Sequence, residues 1–226
     1  NNQEWQHASN AMNLLRMYDV PYAVLAGNHD IDGGSSYNTY NHYFPYTDFE
    51  HNEWYGGHFP FYGNENSYAY ATLGGMEVLI LSISNQTIKE GYPIARSEVY
   101  RWANNIIRSH CRMKVIIATH AYLDPFGNIE DDHYSDASTF LDKVVKKHSN
   151  IIAVISGHYH NNPEGEVYTV TTGDNGNQIH NLLANYQAYP KKGNGYLRLY
   201  RFYRKENQIR VRTYSPYLNQ YKRGPN

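Results

Sequence analysis

The amino-acid sequence predicts a single α/β domain, and three observations carry that expectation. Three short apolar runs end abruptly in polar residues: Tyr22 to Ala26 at Gly27-Asn28-His29-Asp30, Lys114 to Thr119 at His120, and Asn150 to Ser156 at Gly157-His158-Tyr159-His160. Segments with helical spacing lie around and between them, and after Pro163 the pattern becomes mainly β. Open α/β sheets place their ligand sites at the carboxyl ends of strands, so the convergence of three such polar clusters matters more than any one of them.

Taken in order, Trp5 to Tyr18 sets Ala8, Ala11, Leu14, Leu15 and Tyr18 at helical spacing, and Pro21 is a stop signal. Tyr22 to Ala26 then reads as a short buried strand. Residues 31–67 are rich in Gly, Asn, His, Tyr and Phe without a sustained period, which predicts a long aromatic connection that covers something. Its stretch from Tyr37 to Tyr62 packs on its own domain or forms a rim for substrate. Ser67 to Thr72 and Met76 to Ser82, around Gly74-Gly75, predict a hairpin. Glu98 to His110 predicts a helix, and Ser135 or Asp136 can cap another running through Lys147. Glu166 to Thr172, Gly195 to Tyr203 and Gln208 to Tyr214 predict strands, the last two joined at Lys205-Glu206-Asn207. There is no internal repeat and no evident domain boundary in residues 1–226, so one domain is expected.

A chain of 226 residues with 41% hydrophobic content can fill a substantial core. Its formal net charge of -1 gives no broad basic field, so nucleic acid is not the favoured partner. Apolar runs such as Val78 to Leu81 fall far short of the ~20 residues of a membrane helix, so no membrane partner is expected. Cys111 is the only cysteine and excludes an intrachain disulfide. The chain opens without an initiator Met or a signal stretch, which places any targeting segment upstream. The 24 tyrosines, with many Asn and few Lys, suit a secreted or periplasmic protein.

His158 and His160 form a His-x-His pair where Gly157 allows a sharp bend, and neutral imidazole is the commonest protein ligand for transition metals. Alone, such a pair is most often two exposed loop histidines, and His120 or Asn28-His29 alone is equally ambiguous. Their order along the chain is not. Gly27-Asn28-His29-Asp30, His120 and Gly157-His158-Tyr159-His160 resemble the last three of the five blocks of calcineurin-like metallophosphoesterases. Asn185-Tyr186-Gln187, Gly193 to Leu199 and Thr213-Tyr214-Ser215-Pro216 resemble the tail of secreted bacterial members.

The resemblance implies a four-layer α-β-β-α sandwich and hydrolysis of phosphate mono- or diesters of small molecules by a dimetal-activated hydroxide. It implies that Asn28, His120 and His158 bind one metal, that His160 binds the other, and that the catalytic His29 contacts the phosphoryl group or protonates the leaving oxygen. The metals would be two of Mn, Fe or Zn. The family's first two blocks, Asp-x-His and Gly-Asp-x-x-Asp, should precede Asn28 and are not found there. Asp131-Asp132-His133 and Gly173-Asp174 come too late to replace them, and Glu130-Asp131-Asp132, which follows the His120 strand and could face the site, is of a kind that is usually a solvated loop. The expectation is therefore a chain lacking its N-terminal strands, with one metal or none, impaired activity, and an exposed sheet edge that invites self-association. The competing reading is a non-catalytic binding module. A metallo-β-lactamase-like nuclease is disfavoured because Asn161-Asn162-Pro163 follows His160 in place of that group's longer His run.

Overall fold

The computed structural model describes residues 2–33, 36–84, 96–132 and 135–222. His133 lies outside them. The elements are α1 (Asn2–Met17), α2 (Asn38–Tyr43), β1 (Tyr55–His58), β2 (Asn66–Leu73), β3 (Met76–Ile83), α3 (Arg96–Ser109), β4 (Lys114–Ala118), α4 (Ala137–Lys143), β5 (Ile151–Ser156), β6 (Glu166–Thr172), β7 (Gln178–Ala184), β8 (Leu197–Tyr203), β9 (Gln208–Ser215) and β10 (Gln220–Tyr221).

Seven strands form one mixed sheet in the order β1-β2-β3-β4-β5-β7-β6, and β10-β9-β8 form a second. The middle of the large sheet, β3-β4-β5-β7, is parallel, because α3 and α4 carry the chain back between successive strands. Alternation along these strands builds two faces. Leu79, Leu81, Val115, Ile117, Val154 and Leu183 pack with Val99, Ala103 and Ile107 of α3 and Phe140 of α4. Val78, Ile116, Ala153 and Leu182 face Tyr200, Phe202 and Val211 of the smaller sheet. Helices, large sheet and small sheet are thus stacked in an α/β sandwich. A largely apolar cavity of about 800 Å3 remains between the sheets.

Two irregularities place the strand ends. Val115 pairs with Ile151 but Ile116 pairs with Ala153, so Ile152 is an extra residue in β5. This bulge turns Ile152 and Ala153 toward the same face, while Ile151 and Val154 keep their place against the helices. β7 enters between β5 and β6, parallel to the first and antiparallel to the second.

Several expectations are corrected. Tyr22 to Ala26 is not a strand: it pairs with no strand among the described residues, and a strand exists only through its ladder. The apolar stripe expected on α1 is displaced, with Leu14 and Tyr18 exposed. Trp5 and Met12 instead pack on the cluster of Ala26, Ile31, Tyr37, Tyr40, Phe44 and Phe49. The aromatic connection is thereby a core of its own, as the packing alternative holds, and it contributes α2 and β1. α4 stops at Lys143 and continues only as a 3-10 turn over Val145–Lys147. Among the described residues, no helix is long and apolar enough to cross a membrane.

Candidate metal centre

β4 and β5 end side by side. Thr119 N–H donates to the Ile155 carbonyl (3.0 Å), and Gly157 N–H donates to the His120 carbonyl (2.9 Å), so the parallel pairing persists past both strands and delivers His120 next to His158. Their rings lie 4.8 Å apart, centre to centre, and His158 Nδ1 is 3.0 Å from His120 Nε2. Asn28 Oδ1 reaches the same Nε2 at 2.9 Å. Asn28 opens the single turn Asn28–Asp30, which is closed on Gly27 by Asp30: its N–H donates to the Gly27 carbonyl and its Oδ2 accepts the Gly27 N–H at 2.8 Å. A Cβ on Gly27 would stand 2.8 Å from Cε1 of His120, so this buried position admits no side chain while the His120 ring stays where it is.

His158 is mounted on a strained backbone. Its φ is +66°, and Tyr159 N–H donates to the Gly157 carbonyl at 2.8 Å, which makes His158 the centre of a γ-turn of the rare positive-φ kind. A non-glycine residue held there costs on the order of 1–3 kcal/mol and persists only when its surroundings enforce it. Asn185 Nδ2 donates to the His158 carbonyl at 2.6 Å.

The two imidazoles are held neutral. Burial pushes His120 down to about 4, and the neighbouring His158 and His29 add to the effect. Burial lowers His158 as well; Asp132 opposes this, and His29 and His160 reinforce it. At neutral pH both rings therefore keep a lone pair, and a single Nε2 proton on His120 cannot serve Asn28 Oδ1 and His158 Nδ1 equally well. Two ring nitrogens and an amide oxygen converging in this way fit a transition-metal cation. His160 is half-buried with Nδ1 enclosed and unpartnered, as an atom kept for a ligand would be, whereas His29 is exposed. Among the described residues, no three His, Cys, Asp or Glu side chains assemble into a metal-holding group, so the cluster consists of two imidazoles and one amide.

The late acidic segments lie as expected with one addition. Gly173-Asp174 sits in the β6–β7 turn, at the opposite end of the sheet from His158, with Asp174 paired to Lys147 at 2.6 Å. Asp131 accepts the Ser138 N–H at 2.8 Å. Asp132 bears electrostatically on His158, in line with the site-facing alternative for this acidic run rather than with a solvated loop. His110, His148 and His180 are engaged by Tyr70, Asn104 and Tyr168 and take no part in the cluster. Asn185 stood out in sequence only as part of a tail resemblance; a lone Asn beyond a strand carries no signal of the carbonyl it holds.

The model of the family described as calcineurin-like phosphoesterase matches residues 1–162. The chain belongs to the calcineurin-like phosphoesterase family, whose chemistry is, in general, metal-dependent phosphoester hydrolysis at a dimetal centre. It is also similar to a Bacillus subtilis (strain 168) protein described as uncharacterized protein YvnB, with 31% identity over 221 residues that cover 96% of this chain and 16% of that protein. The chain thus spans a small part of the length of the relative it matches.

Proposed function

We propose that this chain supplies one metal site, and part of a second, to a phosphoesterase that hydrolyses a phosphate mono- or diester of a small molecule in a secreted or periplasmic bacterial setting. The observation that carries this reading is the convergence of Asn28 Oδ1 and His158 Nδ1 on His120 Nε2, at 2.9 and 3.0 Å. Asn28, His120 and His158 would hold one cation, and His160 would contribute to a second. When bound, such a pair activates water at neutral pH and offsets charge at the phosphoryl oxygens. His29, exposed beside the ligand cluster, would meet the substrate and give a proton to the departing oxygen, a task that suits imidazole near neutral pH. Burial of His120 keeps protons from competing for its nitrogen. The donor set lacks a carboxylate, which a pair of cations ~3.5–4 Å apart needs to offset their repulsion, so low activity is expected of the 226-residue chain by itself.

The test is elemental mass spectrometry after reconstitution with Mn or Zn, alongside hydrolysis of p-nitrophenyl phosphate and bis(p-nitrophenyl) phosphate. One ion per chain is expected, lost on His158→Ala. Retention undiminished by that substitution would refute the assignment. One retained ion with no turnover in any longer form of the protein would favour the binding-module reading.

A further inference from the structure

The geometry points to Asn185 as the positioning residue of this centre: its side-chain amide holds the carbonyl of His158, and so fixes the strained turn that aims His158 Nδ1 at His120. The inference rests on reading Asn28, His120 and His158 as a metal site. The amide lies between two backbone groups that can bond in only one sense. Its Nδ2 donates to the His158 carbonyl (2.6 Å) and its Oδ1 accepts the Gln187 N–H (3.0 Å), so its orientation is set by the main chain rather than by choice of flip. His158, at φ +66°, is the central residue of the γ-turn, and Asn185 is the side chain that meets its carbonyl.

Asn185 is itself anchored on three sides. Its N–H donates to the Gly165 carbonyl at 2.7 Å. A Cβ on Gly165 would lie 2.3 Å from the Asn185 carbonyl oxygen, so the two segments touch backbone to backbone. The next residue, Tyr186, donates through its hydroxyl to Glu166 at 2.9 Å, and Arg198 donates to both Tyr186 and Glu166. The path from the small sheet to the ligand is therefore continuous: Arg198, Tyr186, Asn185, then the His158 carbonyl. Outer groups that orient metal ligands through hydrogen bonds typically change metal affinity 10- to 100-fold when removed.

Asn185→Asp separates positioning from mere support of the fold. It keeps the shape and the acceptor for Gln187 N–H, and turns the donor to the His158 carbonyl into a carboxylate oxygen that repels it; the added negative charge by itself favours a cation, so a fall in affinity reports the lost hydrogen bond. We expect Zn2+ affinity, by competition titration of the 226-residue chain, to fall about 10- to 100-fold in Asn185→Asp, with a fall in the Tm of the metal-free chain no larger than that of Tyr186→Phe. Tyr186→Phe, which cuts the link to Glu166 but leaves the amide in place, should lower Tm while keeping Zn2+ affinity within about twofold. Unchanged affinity in Asn185→Asp, or an equal loss in Tyr186→Phe, overturns the proposal. If His158→Ala binds Zn2+ as well as the unsubstituted chain, the metal reading fails on its own account. Positioning is then decided without metal, by nuclear Overhauser contact between the His120 and His158 rings: lost in Asn185→Asp if the amide positions His158, kept if it does not.

Discussion

Gly27 shows how little room the cluster leaves. Its backbone, at φ -97° and ψ -174°, is extended and open to any residue, so glycine is required there for space and not for conformation. Gly27→Ala puts a methyl group 2.8 Å from Cε1 of a ring already wedged between Asn28 and His158. The expected result is a loss of about 1–3 kcal/mol in urea unfolding together with weakened metal binding. The neighbouring histidine behaves differently, because His29 is exposed and is not among the converging atoms. In a metal-loaded, active form of the protein, His29→Ala should slow turnover about 10²- to 10⁴-fold with metal content unchanged. Equal metal loss in His29→Ala and His158→Ala would show that His29 is a ligand instead. Asn28, His120 and His158 were legible because each follows a short apolar run that the sequence marks, although only the runs before His120 and His158 are strands. Asp132 could be placed near the site only as the less favoured alternative, because its relevance depends on how the 120–132 loop folds back, which no local pattern encodes.

Among the elements, the legible ones are those whose signal is local. The β2–β3 hairpin follows from Gly74-Gly75, which adopt φ of +58° and +76°, and α3, β4 and β5 follow from their periodicity. β7 was missed although Asp174-Asn175-Gly176-Asn177 marks a turn before it, because Gln178–Ala184 alternates poorly: it is buried on both faces between β5 and β6. Tyr22 to Ala26 has the opposite history, a strand-like composition without a ladder. The bulge in β5 is equally invisible in a run of Ile, Ile, Ala, Val and Ile, yet it decides which side chains face which sheet. It also yields a specific expectation. Deleting Ile152 removes the unpaired residue and restores plain alternation from Ile151 through Ala153 to Val154, so the pairing of Ile155 with Ala118 and the position of His158 should survive. The cost should be the lost burial, about 1–3 kcal/mol by urea unfolding, with metal retained. Deleting Val154 instead flips every residue between it and His158, and should abolish both metal binding and cooperative unfolding. If the two deletions behave alike, the bulge does not set the register.

For the whole molecule, the decisive junction is the polar one between the two sheets. Glu166, at the start of β6, accepts from Arg198 of β8 (2.7 Å), Thr213 of β9 (2.7 Å) and Tyr186 beyond β7 (2.9 Å), and is paired with Lys222 next to β10. Burial pushes this carboxyl up, but the hydrogen bonds from Lys222, Arg198, Thr213 and Tyr186 outweigh it and bring the group down from 4.5 to about 2. A carboxylate more acidic in the fold than in the unfolded chain stabilises the fold above its unfolded value, and that contribution is lost as pH falls through its folded value. The window is therefore pH 4.5 to 2. His120, kept neutral by burial at about 4 against an ordinary 6.5, also makes stability fall with acid, but over the range from 6.5 to 4. The windows overlap only near pH 4 to 4.5, so two variants separate them. Glu166→Gln should cost about 2 kcal/mol at pH 7 by denaturant unfolding, with the deficit shrinking steadily below pH 4.5 as the unsubstituted protein loses its own carboxylate. His120→Asn should leave that lower window intact and lessen the fall in the upper one, to which His158, also lowered by burial, still contributes. A deficit in Glu166→Gln that stays constant down to pH 2 would mean that Glu166 joins the sheets by packing alone, and that its charge contributes nothing to holding them together.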